Sequence, residues 1–144
     1  MKLFLGGKTI LIAAVTLTAL LFFGCDNHTA MNQSTAVVKH ITQGEFEAEV
    51  TRCTNLVVAD FYATWCGSCR QLAPMLERQA TNYAGQIKFV KLNVDESPGI
   101  AQNFQVLPLP TLVFFRDGKV AGRYSEFPNE TNLQASLTAF VAGK

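Results

Sequence analysis

Two cysteines three residues apart, at the junction of a strand and a helix, constrain this chain more than any other feature. The segment Trp65-Cys66-Gly67-Ser68-Cys69-Arg70 is preceded by the apolar run Leu56-Val57-Val58-Ala59-Asp60-Phe61-Tyr62-Ala63, which has strand character. From Gln71 to Ala80 the leucines and alanines recur at helical spacing. The pair therefore falls on neighbouring positions of a first helical turn. Unpaired backbone N–H groups and the positive end of the helix dipole favour a thiolate at Cys66, which is the reactive form of the side chain. Cys69 is close enough to attack a mixed disulfide formed at Cys66, closing a small ring and releasing a reduced product. Half of a zinc site and a purely structural disulfide are the competing readings. Zinc asks for a second Cys/His pair, and His28 and His40, the two histidines of the chain, stand alone upstream. No metal site is expected.

The remaining pattern places this junction inside one α/β domain. Val37–Ile41 reads as a short strand, and Thr42-Gln43-Gly44-Glu45 has capping-box spacing that opens a helix through Phe46 and Val50. Residues 55–63 are almost continuously apolar, which suits a central strand buried on both faces. The helix after the cysteines should run to about Tyr83, with Gly85 beyond its end and a kink at Pro74. A strand over Ile87–Val94 and a short helix from Ser97-Pro98 to about Phe104 follow. Thr111–Arg116 and Lys119–Tyr124 should pair as a hairpin across Asp117-Gly118. A last helix over Asn129–Val141 presents Leu133, Leu137, Phe140 and Val141 on one face. This order predicts a mixed central sheet with helices on both faces. Asp60 breaks the apolar strand, and a carboxylate buried there is costly and should have a raised pKa. Cys53 is expected to be buried and to behave as a small hydrophobe.

Asp60-Phe61-Tyr62-Ala63-Thr64-Trp65-Cys66-Gly67-Ser68-Cys69 resembles the active-site stretch of the thioredoxin family. The similarity continues through Ala73-Pro74, Lys91-Leu92-Asn93-Val94-Asp95, Pro110-Thr111-Leu112 and Phe115-Arg116-Asp117-Gly118-Lys119, and spans about Val37 to Lys144. The resemblance implies the thioredoxin-like fold and thiol–disulfide exchange with protein substrates, without a bound cofactor. It makes Cys66 the exposed nucleophile and Cys69 the more buried resolving thiol. Asp60 would lie beneath Cys69 and help move its proton, with Lys91 approaching that carboxylate. A purely structural Asp60–Lys91 ion pair is the alternative. Trp65, Gly67, Ser68, Leu109 and Pro110 would form the substrate surface, with ordinary packing as the other role for Trp65. Pro110 would be cis, placing the Leu109 backbone beside the disulfide, where it can pair with an extended substrate segment. Pro108 offers a second candidate, but only Pro110 is followed by the family's Thr-Leu. Two departures stand out. Ser68 replaces a proline, which frees a backbone N–H and supplies a hydroxyl, so the pair should be somewhat more oxidising than a thioredoxin. Ser125-Glu126-Phe127 replaces a small Val-Gly-Ala segment at the edge of the substrate groove, which implies different partners.

The N-terminal part reads as a targeting segment. Lys2 and Lys8 precede an uncharged apolar run over Ile10–Phe23, short for a transmembrane span, and Asp26 is the first acidic residue. Leu21-Phe22-Phe23-Gly24-Cys25 resembles a bacterial lipobox, with Phe22 where leucine is usual. The expected organisation is a signal peptide over 1–24, a lipidated Cys25 with a polar tether over 25–36, and the domain over 37–144. A cleaved soluble form and an uncleaved anchor are the alternatives, and all three export the domain. The whole chain has Lys+Arg 12 and Asp+Glu 11, a net charge of +1; without Lys2 and Lys8 this becomes −1. Neither value gives a basic footprint for nucleic acid. The expected partners are disulfide-containing envelope proteins, a membrane thiol-electron transporter and the inner membrane through the lipid. The leading function is a protein-disulfide reductase facing the periplasm. An oxidase or isomerase, a cytochrome c maturation thioredoxin and a non-catalytic binding module are the rivals. The first two usually carry insertions for which this chain has no room.

Overall fold

The computed structural model describes residues 37–125 and 129–143, and the targeting and tether segments expected over 1–36 lie outside them. A five-stranded sheet has the order β1-β3-β2-β4-β5, formed by β1 (Lys39–His40), β2 (Leu56–Tyr62), β3 (Ile87–Asn93), β4 (Thr111–Arg116) and β5 (Lys119–Tyr124). Strands β1, β3 and β2 run parallel, and β4 and β5 join antiparallel. The helices are α1 (Gly67–Asn82), α2 (Pro98–Asn103) and α3 (Glu130–Val141). This is the α/β thioredoxin-like architecture, with a mixed sheet between two helical layers.

Alternation along the strands creates two cores. Val58 of β2, Phe89 of β3 and Leu112 and Phe114 of β4 face Leu72 and Leu76 of α1 and Leu133, Leu137 and Phe140 of α3. Val57, Ala59 and Phe61 point the other way, toward Phe46, Val50 and Cys53, with α2 residues Ile100 and Ala101 packed alongside. Because β2 is covered on both faces, its sequence can be apolar throughout. Cys53 is 1% exposed, and no described cysteine is a free thiol.

Local signals set most boundaries. Asn129 caps α3, its Oδ1 accepting from the Asn132 N–H at 3.0 Å. The β4–β5 turn puts Asp117 at φ 51° and Gly118 at φ 71°, the doubly left-handed geometry of a tight hairpin. A Cβ on Gly118 would come within 1.9 Å of the Thr51 carbonyl oxygen, so the turn also docks against a neighbour. Pro74 lies inside α1, as expected. Two expectations need correction. Strand β1 shrinks to Lys39–His40. The helix after Thr42 is also not a regular α-helix: a 3₁₀ turn over Gln43–Glu45 passes into a π-helical turn over Glu47–Thr51. The capping contact is present, with the Thr42 N–H donating to Glu45 Oε2 at 2.9 Å.

Candidate active site

The chain leaves β2 at Tyr62, turns, and enters α1 with Cys66 as the N-cap. Serine, threonine or aspartate usually places an oxygen there to satisfy an unpaired helix N–H. Here the sulfur does so: Cys66 Sγ accepts from the Cys69 N–H at 3.1 Å. The same donor and the helix dipole are aimed at the atom that becomes anionic when the pair is reduced. Cys66 and Cys69 are joined by a disulfide. The expected contrast between an exposed first cysteine and a buried second one does not hold, since they are 5% and 4% exposed. With its sulfur folded back over the helix terminus, Cys66 packs with Cys69 and Ala63, against Tyr62, Val94 and Leu109.

The exposed rim is formed by neighbours. Trp65 is 68% exposed, so core packing is not its role. Its Nε1–H donates to Asp95 Oδ2 at 2.9 Å, which fixes the indole orientation. Asp95 is held in turn by its N–H bond to Asn93 Oδ1 at 3.1 Å. Gly67 and Ser68 are exposed, Leu109 is half-buried and Pro110 is buried. The Ser68 hydroxyl is 3.4 Å from Cys66 Sγ and donates to the Leu109 carbonyl at 3.5 Å, so these expected surface residues converge. The Leu109–Pro110 peptide is cis as expected, and the Leu107–Pro108 peptide is cis as well.

Asp60, 4% exposed on the central strand, lines one cavity with Cys69. Burial pushes its carboxyl up to about 7, and the Lys91 ammonium opposes that rise. Asp60 Oδ1 has no hydrogen-bond partner among the described residues. Lys91 is its register partner on β3, so both side chains stand on the same face of the sheet. A cavity of about 160 Å3 is lined by Asp60, Lys91, Cys69, Tyr62, Thr64 and Arg70, among others. That volume holds a few water molecules, at roughly 30 Å3 each. The carboxyl group and the resolving cysteine therefore open onto one cavity large enough for water. Lys91 Nζ also lies 4.0 Å from Glu77 Oε1 on α1.

Sequence reasoning gave no role to Tyr62, Arg70, Glu77 or Asp95. For Tyr62 a signal existed, because it is two residues beyond Asp60 on one strand and shares its face. Arg70 follows Cys69 directly, and its Nη1–H donates to the Thr64 carbonyl at 3.2 Å beside the cavity. His40 is exposed on β1, in register with Lys91. Cys25, Glu126 and Phe127 lie outside the described residues; Ser125 is partly buried just beyond β5. Among the described residues no group of three or more potential ligands is placed to hold a metal ion.

Comparison with known proteins agrees with this geometry. The family model for thioredoxin matches residues 37–139. Thioredoxins from Staphylococcus aureus strains MW2, N315 and COL are each 41% identical to the chain over 102 residues, covering 71% of this chain and 95% of theirs. The matched region contains the Cys66–Cys69 pair, which gives the domain the chemistry of a thiol–disulfide oxidoreductase. The chain belongs to the thioredoxin family.

Proposed function

We propose that this oxidoreductase is a protein-disulfide reductase of the bacterial cell envelope, held at the outer face of the inner membrane by a lipid on Cys25. The observation that carries the exchange chemistry is the cavity shared by Asp60 and Cys69, and membership of the thioredoxin family supports the reductive direction. In the reductive direction Cys66 thiolate attacks a substrate disulfide, and one substrate sulfur leaves as a thiol after taking a proton from water. Cys69 must then lose its proton before it can attack Cys66 Sγ and expel the second substrate sulfur. A carboxyl group with a pKa of about 7 accepts that proton near neutral pH, where a general base is most effective. Two electrons pass to the substrate and the Cys66–Cys69 disulfide is left behind. Residues 83–86 alone join α1 to β3, which favours a general reductase over a cytochrome c maturation thioredoxin. The lipobox-like Gly24-Cys25 and the uncharged run before it support the anchor. A membrane thiol-electron transporter would return the electrons, and anchoring beside it raises the effective encounter rate.

Insulin reduction tests this directly. The full chain, supplied with dithiothreitol, should accelerate cleavage of the insulin interchain disulfides. Cys69→Ser should instead accumulate a mixed disulfide between Cys66 and insulin. Failure of the wild-type chain to outpace dithiothreitol alone would sink the reductase reading in favour of a binding module.

A further inference from the structure

Ser68 stands between two acceptors and has one hydroxyl proton to give. Its Oγ is 3.4 Å from Cys66 Sγ and 3.5 Å from the Leu109 carbonyl oxygen. While Cys66 is in the disulfide its sulfur carries no proton, so Ser68 is the donor to either atom. Divalent sulfur accepts weakly and a peptide carbonyl strongly, so in the oxidised chain the proton belongs to Leu109. Reduction reverses that order. The Cys66 thiolate is an ionised acceptor, and charge-assisted bonds are roughly twice as strong as neutral ones. The Cys69 N–H already donates to this sulfur, and Ser68 can supply a second donor from the other side.

We infer that the Ser68 hydroxyl changes acceptor with redox state, occupying the Leu109 carbonyl in the disulfide form and releasing it in the dithiol form. An extended substrate segment pairing with the Leu109 backbone needs that carbonyl. The consequence, which rests on the reductase reading above, is an affinity that falls as each turnover ends. The dithiol chain presents a free carbonyl to the oxidised substrate. Once Cys69 has displaced the second substrate sulfur and Cys66 is back in the disulfide, Ser68 returns to Leu109 and competes with the N–H of the reduced product. Ser68 is exposed, so water also competes for the hydroxyl, and the change in affinity is roughly two- to tenfold. A proline at this position has no hydroxyl and no such exchange.

The test uses the full chain in detergent, labelled with 13C, as wild type and as Ser68→Ala. The Leu109 carbonyl resonance is followed in the oxidised and reduced forms, together with the pH dependence of Cys66 alkylation by iodoacetamide. In the wild type the carbonyl should move upfield on reduction, as it loses a hydrogen bond. Oxidised Ser68→Ala should already lie upfield and move much less on reduction. Its alkylation midpoint should rise by up to about one pH unit, the tenfold limit of one exposed hydrogen bond. An oxidised Leu109 carbonyl unchanged by Ser68→Ala, or an alkylation midpoint that does not rise, would overturn the inference. Neither readout involves a substrate, so they succeed or fail independently of insulin reduction.

Discussion

Replacing Asp60 by asparagine should make the protein more stable and a poorer catalyst, with a pH dependence that identifies the cause. The carboxyl pKa is about 7 in the folded chain against an ordinary value of 3.8. An acid whose folded pKa is raised binds fewer protons unfolded than folded across this window, so stability falls as pH rises from about 4 to 7. At about 1.4 kcal/mol per unit, the full cost above pH 7 is about 4 kcal/mol. At pH 5 the unfolded chain is already ionised and about 2 kcal/mol of that cost is present. Relative to wild type, Asp60→Asn should therefore gain roughly 2–3 kcal/mol between pH 5 and pH 8.5. The neutral amide still occupies a buried site where Asp60 Oδ1 lacks a partner, which lowers the absolute gain at both pH values but not the difference between them. Urea unfolding of the oxidised chain is the assay, because disulfide-bonded Cys66 and Cys69 add no titration of their own. Glu45, Glu49 and Glu130 have lowered pKa values and contribute below this window. A stability difference that stays constant from pH 5 to pH 8.5 would refute the raised pKa. The kinetic counterpart is slower resolution of the Cys66 mixed disulfide, by up to the ~10²–10⁴-fold typical of a lost general base.

The two remaining predictions concern the cell. Cys25→Ala should abolish acyl labelling and leave a precursor of altered size, whereas unchanged labelling would remove the lipid anchor from the proposal. The Cys66/Cys69 pair, trapped by acid and alkylated in growing cells, should be mostly reduced and become oxidised when the membrane thiol transporter is deleted. A pair that stays oxidised throughout, in cells that lose disulfide formation on Cys66→Ala, would reverse the assigned direction.

The parts of the fold that were legible in the sequence are those written locally. The Cys66–Cys69 spacing after an apolar run, Asp117-Gly118 between alternating segments, and Leu133, Leu137 and Phe140 on one helical face each fix an element from a few neighbouring residues. The Gln43–Thr51 segment was legible only in part. Its capping contact is local, but the turn that follows is π-helical over Glu47–Thr51, which the apolar spacing of Phe46 and Val50 does not distinguish from a regular helix. The rim residues were named by the family resemblance, but the contacts that hold them were not legible: Trp65 meets Asp95 thirty residues on, and Ser68 meets Leu109 forty-one residues on. Local periodicity carries no information about such pairs. The exposure of Cys66, expected from the family resemblance, does not hold because its sulfur folds back to cap the helix.

Two observations at Asp60 support the proton-transfer role of the two that the sequence left open. Register sets His40, Lys91, Asp60 and Leu112 side by side across four strands, so Lys91 is the natural partner for the carboxylate. A pair kept for stability would hold the carboxyl below its ordinary pKa and satisfy its oxygens. Neither condition is met: the pKa is raised to about 7, and Oδ1 has no partner among the described residues. The lysine is also shared, reaching toward Glu77 at 4.0 Å and leaving the carboxylate under-compensated. An arrangement that costs stability at neutral pH is a poor structural ion pair and a well-matched proton acceptor. In the proposed reaction, the cavity to Cys69 would give that acceptor a thiol to serve.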